Sequence, residues 1–85
     1  MTLEVKLTKP AFEFLNELEK KPREAIKKRL TELASDPLSI RTSKPLKNRV
    51  ERSSRVGNYR ILFTIEEDQQ VLLVAKIGNR RDVYK

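Results

Sequence analysis

Alternating apolar and polar residues open the chain and predict a β-strand. Leu3, Val5 and Leu7 are separated by charged residues, which is the period-two pattern of a strand with one buried face, over about residues 2–8. Thr8 can cap a following helix, and Pro10 fits its first turn, where a missing N–H leaves no intrahelical bond unmade. The apolar positions of this helix form one stripe: Ala11, Phe12, Phe14, Leu15 and Leu18.

A second amphipathic helix is predicted over about residues 22–35. The first helix is interrupted at Pro22, because proline lacks an N–H and disfavours helical geometry in the residue before it. Ile26, Leu30 and Leu33 mark the buried side of the second helix, and Asp36-Pro37 ends it. Two such helices in succession predict a helical hairpin, and the polar, proline-containing stretch 37–45 predicts a loop.

Three more strands are predicted over about residues 46–54, 57–66 and 71–78. The middle one alternates between two faces: Tyr59, Ile61, Phe63 and Ile65 on one, and Arg60, Leu62 and Thr64 on the other. The nearly continuous apolar run 71–75 is typical of a central strand. The order β-α-α-β-β-β predicts an α+β fold, in which an N-terminal helical hairpin packs on a small, mostly antiparallel sheet.

Length and composition limit the classes of function that the chain can have. The 85 residues fit a single domain, 1–85, and contain neither cysteine nor histidine. Hydrolysis through a serine or cysteine activated by histidine is therefore excluded, and no zinc site or other metal or cofactor is expected. No stretch is long and apolar enough to span a membrane, and the N-terminus lacks the apolar run of a signal peptide, so we expect a cytoplasmic protein.

The charge is strongly basic, with a formal net charge of +7 and a pI of about 10.0. Most of the excess lies in residues 44–85, where 10 Lys/Arg face 5 Asp/Glu, against 9 and 7 in residues 1–43. Such a balance favours a polyanionic partner: a nucleic acid, an acidic protein or a membrane surface.

One sequence motif resembles a known toxin family. The run Val56-Gly57-Asn58-Tyr59-Arg60-Ile61-Leu62-Phe63, followed by a short acidic turn and then by residues 71–84, resembles the RelE branch of the RelE/ParE toxin superfamily. In that branch an Arg-x-G-x-Y-R strand precedes an apolar strand that ends in a basic segment and a tyrosine. The element order agrees as well, so the resemblance covers essentially the whole chain.

The resemblance implies the toxin of a type II toxin-antitoxin system. RelE-like toxins enter the A site of the 70S-type ribosome and cut mRNA through attack of a ribose 2′-OH on the adjacent phosphate, without a metal. They are silenced in hetero-oligomers with a RelB-like antitoxin, which is acidic and partly disordered when free. ParE relatives share the scaffold but poison DNA gyrase without cleaving RNA. A gyrase inhibitor, or an accessory member that only binds its antitoxin, therefore stays open.

The same resemblance assigns site residues. Arg60 matches the arginine that holds the scissile phosphate, Arg80 the general acid, and Tyr84 the tyrosine that stacks on or orients the nucleotide. Arg55 matches a basic position near the substrate that assists with the phosphate or the flanking backbone, and Arg81 can supply neighbouring backbone contacts. Four of these residues have another interpretation: Arg60 can be an edge-strand arginine paired with Glu51 or solvated, Arg55 a turn-adjacent surface cation, Arg80 a purely electrostatic group, and Tyr84 an anchor for the tail.

The sequence departs from the RelE pattern at two positions. Glu51 and Ser53 stand where better-known members carry lysines, one of them the proposed base. Some relatives use a glutamate as base, so Glu51 can fill this role, although a surface acid in a salt bridge is the simpler interpretation. Alternation would place Glu51 with Lys47 and Arg49 on one strand face. Three cations can supply the missing positive charge as RNA-binding residues: Lys47, Arg49 and Arg52.

Two other clusters have weaker interpretations. Lys27-Lys28-Arg29 can contact ribosomal RNA, but cations interleaved with Glu24 and Glu32 are typical of a solvated helix face. Leu38 and Ile40 lie in a polar loop, where exposed apolar side chains can form part of an antitoxin groove.

Overall fold

The computed structural model describes residues 2–79 as one five-stranded sheet with two helices packed on one face. The elements are β1 (Glu4–Leu7), α1 (Lys9–Glu17), α2 (Lys20–Ser35), β2 (Lys44–Pro45), β3 (Arg52–Val56), β4 (Tyr59–Glu66), a 3-10 turn (Glu67–Gln69) and β5 (Val71–Asn79). The strand order is β1-β5-β4-β3-β2, parallel between β1 and β5 and antiparallel elsewhere. The predicted fold class is confirmed.

The core lies between the helical hairpin and β4 and β5, the two central strands that carry most of its sheet side chains. Its members are buried apolar side chains, most of them at positions that the apolar pattern predicted: Ala11, Leu15, Ile26, Leu30, Leu33, Ile61, Phe63, Leu72, Val74 and Ile77. Phe12, predicted on the buried stripe of α1, is instead exposed. Tyr59 and Ile65 pack against this cluster, so the face predicted for β4 is confirmed. Arg60 and Thr64 consequently project to the face away from the helices.

Thr8 fixes the start of α1, as the sequence predicts. Its Oγ1 accepts a hydrogen bond from the backbone N–H of Ala11 at 3.4 Å and donates one to the carbonyl of Ala75 at 2.8 Å. The second helix begins at Lys20, two residues before the predicted start. Pro22 is compatible with this, because it falls in the first turn, where backbone N–H groups have no intrahelical acceptor.

A β-bulge interrupts the ladder between β4 and β5. Leu62 pairs with Lys76 and Phe63 pairs with Val74, so Ala75 is the extra residue of β5. The bulge shifts the alternation by one residue, which lets both Val74 and Ile77 face the core. It also sets Gly78 opposite Arg60.

The strand predicted over 46–54 is wrong in its first half. Residues 46–51 form a turn, in which Arg49 N–H donates to the carbonyl of Leu46 at 3.2 Å and Asn48 has a left-handed backbone with φ of 61°. Asparagine tolerates this conformation. Lys47, Arg49 and Glu51 therefore do not share one strand face, as alternation had suggested.

The loop predicted over 37–45 also contains an element that the sequence did not predict. Lys44 and Pro45 form a two-residue edge strand, which pairs with Ser53 and Arg52 of β3. Proline is tolerated in such an edge strand. Since β2 covers only these two positions, the edge of β3 from Ser54 onward is left to other partners. No helix within residues 2–79 is long and apolar enough to span a membrane.

Candidate nucleic-acid interface

A basic cavity of about 320 Å³ lies beside β3. It is lined by five cations, three hydroxyl side chains and one apolar side chain: Arg29, Arg41, Lys44, Arg55, Arg60, Thr42, Ser43, Ser53 and Ile40. No carboxylate from the described part of the chain lines it. Like charges gathered in one concave surface attract and hold anions, so we call this feature the basic cavity and consider it the candidate site.

Arg60 is the most buried cation of the basic cavity, with 8% of its surface exposed. Its position in β4 is directly opposite Arg55 of β3 and Gly78 of β5. Opposed positions of antiparallel strands have Cβ atoms about 4.5–5.5 Å apart, so the two arginines start from neighbouring points on one face. Tyr59, the residue before Arg60, meets the ring of Phe14 edge to face at 6.1 Å between centroids, which anchors this end of β4 on α1.

Arg29 reaches the basic cavity from α2 and closes the free edge of β3. Its Nη1 donates to the Oγ of Ser54 at 2.9 Å and to the carbonyl of Arg55 at 2.8 Å, while its Nε donates to Glu32 at 3.2 Å. Interpreting the whole cationic triplet of α2 as a solvated face is therefore wrong for Arg29. It holds for the exposed Lys28 and for Lys27, which pairs with Glu24 at 3.7 Å.

The loop of residues 37–43 forms the other wall of the basic cavity and is tied to the sheet by Ser43. The Oγ of Ser43 donates to the carbonyl of Pro37 at 2.8 Å and accepts from Arg52 Nε and Nη2 at 3.2 and 3.0 Å. Arg52, predicted to bind RNA, thus holds this loop and does not line the cavity. Leu38 and Ile40 of the same loop are exposed, by 61% and 92%, as the sequence suggested.

Glu51 forms an ion pair with Arg49, at 2.8 Å between Oε2 and Nη2, and not with Arg60. The hydrogen bond from Arg49, helped by a backbone hydrogen bond, lowers the pKa of the Glu51 carboxyl below its ordinary value. The carboxylate is therefore ionised at neutral pH, but its affinity for a proton is reduced. Lys47, Arg49 and Glu51 all lie in the turn before β3 and do not line the basic cavity.

The structure brings together some of the predicted site residues and adds others. Arg55 and Arg60 share the basic cavity, whereas Arg80, Arg81 and Tyr84 lie outside the described residues. The sequence interpretation favoured a solvated helix face for Arg29 and missed Arg41 and Lys44. For the last two a signal was present, because they flank two hydroxyl residues in the run Arg41-Thr42-Ser43-Lys44. No group of three or more acidic residues that could hold a metal ion occurs within residues 2–79.

A helical hairpin on one face of a small mixed sheet, with clustered arginines beside it, is the arrangement expected of a RelE/ParE-type toxin domain. The sequence profile of the ParE toxin of type II toxin-antitoxin systems matches residues 5–84. Since this match spans almost the whole chain, the protein belongs to the ParE toxin family, within the RelE/ParE superfamily of type II toxins.

Solved structures show the same fold. The toxin-antitoxin complex RelBE2 from Mycobacterium tuberculosis contains a chain with 25% identity and a TM-score of 0.81, aligned over 94% of this chain and 100% of that one. A mutant of Escherichia coli RelE in the free state has 20% identity and a TM-score of 0.79, over 99% and 90%. The archaeal RelE-RelB complex from Pyrococcus horikoshii contains a chain with 19% identity and a TM-score of 0.77, aligned over 98% of this chain and 100% of that one. Among curated proteins, no match was found.

Proposed function

We propose that this type II toxin is an endoribonuclease that cuts mRNA in the ribosomal A site. One observation carries the proposal: Arg60 is buried in β4, directly opposite Arg55, in a cavity lined by cations without a carboxylate from the described residues. A buried guanidinium is held in one orientation, and its bidentate geometry and permanent charge suit a phosphodiester. Structural likeness to RelE toxins supports the same assignment.

The reaction we propose needs no group beyond the toxin and the RNA. A base removes the proton of a ribose 2′-OH, the 2′-oxygen bonds to the adjacent phosphorus, and the bond to the 5′-oxygen breaks as that oxygen is protonated. The products are a 2′,3′-cyclic phosphate and a 5′-OH. Arg60, assisted by Arg55, stabilises the charge that grows on the phosphate oxygens. Arg80 and Tyr84 keep their proposed roles as acid or electrostatic group and as stacking partner.

Glu51 is the proposed base, a role that requires the RNA to extend from the basic cavity to the turn before β3, because Glu51 does not line the cavity. Arg49 keeps the carboxylate ionised and therefore able to accept a proton, but the lowered pKa makes it a weaker base than a free glutamate. Catalysis would therefore depend more on stabilisation of the phosphate by arginines than on proton abstraction. The remaining predicted RNA-binding cations are proposed either to contact the RNA backbone away from the scissile phosphate or to act on it indirectly: Lys47, Arg49, Arg52 and Arg81.

The proposed partner in the resting state is an acidic, RelB-like antitoxin that is partly disordered when free. The solved relatives from M. tuberculosis and P. horikoshii are toxin-antitoxin complexes. In this chain, the exposed Leu38 and Ile40 lie in the loop that forms one wall of the basic cavity. An amphipathic acidic segment could cover both features together, which would stabilise the folded toxin by mass action.

The test is a cleavage assay on translating ribosomes with a defined mRNA, in which the termini are mapped. We expect cuts within the A-site codon that leave a cyclic phosphate. Arg60→Lys keeps the charge but loses the bidentate geometry, so cutting should slow by about a hundredfold or more. Lys21→Gln, which removes an exposed cation outside the basic cavity, should cut like the wild type. Intact mRNA, or equal rates for both variants, would refute the proposal.

A second candidate is inhibition of DNA gyrase without RNA cleavage. Two observations favour it: the matching family profile is that of ParE toxins, and Glu51 and Ser53 occupy the positions of the RelE lysines. The same purified protein would be added to gyrase and supercoiled DNA. Gyrase-dependent DNA breaks together with uncut ribosomal mRNA would decide for this candidate.

A further inference from the structure

The loop wall of the basic cavity carries polar groups without a partner. The side chains of Arg41 and Lys44 form no hydrogen bond or ion pair with any residue from 2 to 79. The Oγ1 of Thr42, between them in sequence, is buried and has no hydrogen-bond partner among the same residues. A buried hydroxyl without a partner is unfavourable, and two unpaired cations beside it leave the wall suited to an anion with several acceptor oxygens.

The cavity is too large for a single phosphate group held by Arg60. A volume of about 320 Å³ corresponds to roughly ten water molecules in the liquid. Arg55 and Arg60 lie on one face of the sheet, Lys44 of β2 extends the same face, and Arg41 and Thr42 come from the loop. Cations spread over a sheet face and an adjoining loop fit an extended polyanion better than an isolated ion.

The loop wall is also held in place before any ligand binds. Ser43 is buried, and its Oγ joins Pro37 to the guanidinium of Arg52. The backbone N–H of Ser43 donates to the carbonyl of Ser39 at 3.0 Å, which closes the loop on itself. Little conformational freedom is then lost when an anion binds at Arg41 and Thr42. Arg52 acts here as a positioning residue.

We propose that Arg41, Thr42 and Lys44 form a second phosphate subsite, which binds a phosphodiester neighbouring the one at Arg60 on the same RNA strand. This inference deepens the proposed function and rests on it for the nature of the strand. The two cations neutralise the charge of this phosphate, and Thr42, whose Oγ1 is shielded from solvent, donates to a phosphate oxygen after a small shift of the loop. The chain thereby holds two neighbouring phosphates, which fixes the strand in register over the sheet.

The experiment uses short 2′-O-methyl oligonucleotides, which bind but cannot be cleaved because the attacking hydroxyl is blocked. Dissociation constants are measured by NMR titration of the ¹⁵N-labelled toxin with a dinucleotide that has one phosphate linkage and a trinucleotide that has two. We expect the second linkage to tighten binding to the wild type by about tenfold, the size of one charged hydrogen-bonding contact. A trinucleotide with one neutral methylphosphonate linkage should fall back to the dinucleotide affinity.

Arg41→Gln should lose most of the gain from the second linkage, and the salt dependence of trinucleotide binding should fall by about 0.7 in log–log slope. Thr42→Val should lose part of the gain. Lys28→Gln is the matched control, since it removes one exposed cation outside the basic cavity and should keep the full gain. The ¹⁵N spectrum of each variant verifies its folding.

Three results would overturn the subsite. In the first, Arg41→Gln and Lys28→Gln weaken trinucleotide binding equally. In the second, the methylphosphonate linkage has no effect on affinity. In the third, Arg41→Gln weakens binding of a hexaglutamate peptide while the two-linkage gain persists, which would assign the wall to an acidic protein partner. A two-linkage gain that depends on Arg41 in a toxin unable to cut ribosomal mRNA would refute only the proposed function.

Discussion

At the scale of single residues, two arginines face each other where repulsion should separate them. Arg55 and Arg60 occupy directly opposed positions of β3 and β4, and like charges in such a pair destabilise a sheet. Arg55 stays exposed, and its Nε donates to the carbonyl of Gly57 at 3.4 Å, whereas Arg60 is buried. A local cost of this kind is typical of functional sites, because the unfavourable charge pair becomes favourable once an anion lies between its members.

The Glu51–Arg49 pair gives a prediction about pH. Because Arg49 lowers the pKa of Glu51, the carboxylate stays ionised to lower pH than a free glutamate. Arg49→Gln should raise the pKa of Glu51 toward its ordinary value, and Arg49→Lys should raise it less. A ¹³C NMR titration of the Glu51 carboxyl measures this directly. If the titration is unchanged in Arg49→Gln, the guanidinium of Arg49 is not what lowers the pKa.

The same pair tests the role of Glu51 as base. A base must be unprotonated, so the acidic limb of the cleavage rate should follow the pKa of Glu51 and move to higher pH in Arg49→Gln. A limb that does not move while the NMR titration does would remove Glu51 from the mechanism. The pair also affects folding, because the pKa of Glu51 is lower in the folded protein than in the unfolded chain. Its contribution to the free energy of unfolding is present above the unfolded pKa and is lost as pH falls through the folded pKa.

At the scale of elements, Thr8 connects the start of α1 to the β-bulge of β5. One side chain caps the helix at Ala11 and donates to the carbonyl of Ala75, the residue that the ladder leaves unpaired. Thr8→Val should destabilise the protein by about 1–3 kcal/mol, since both bonds are lost and a part-buried carbonyl is left without its donor. Thr8→Ser keeps the hydroxyl and should lose far less. Urea unfolding compares the two, and equal stabilities would show that the hydroxyl of Thr8 does not stabilise the fold.

Periodicity predicted most elements because each of them has one buried face. The strands β1, β4 and β5 and both helices follow their apolar patterns. The pattern failed at residues 46–51, where alternating charges look like a strand but no face is buried and Asn48 permits a turn. It could not predict the β-bulge at Ala75 either, because a continuous apolar run carries no information about register.

The candidate site was predictable only where a motif carried it. Arg55 and Arg60 follow from the Arg-x-G-x-Y-R type of strand. The place of Arg29 in the cavity could not be predicted, because its bond to Ser54 spans 25 residues and joins a helix to a sheet edge. Arg41 reaches the basic cavity through the loop that Ser43 and Arg52 hold in place, and Lys44 through the pairing of β2 with β3. Tertiary contacts of this kind leave no periodic trace in a sequence.

At the scale of the whole molecule, the excess of positive charge should destabilise the isolated toxin. The net charge is +7, and five cations line one cavity. Raising sodium chloride screens this repulsion, so the free energy of unfolding should increase, by up to about 1 kcal/mol for a few exposed pairs. Urea unfolding at low and high salt measures the change. A fall in stability would show that the surface ion pairs outweigh the repulsion.

The parallel pairing of β1 has a consequence for synthesis. Among the described strands, β1 pairs only with β5, joining Glu4 to Val71 and Leu7 to Val74. A nascent chain that has been synthesised as far as Gln70 therefore contains the residues of both helices. It still lacks the strand that pairs with β1, and with it three core side chains: Leu72, Val74 and Ile77. Contacts so distant in sequence form late. A nascent chain therefore lacks the partner of β1 and part of its core until β5 has been synthesised.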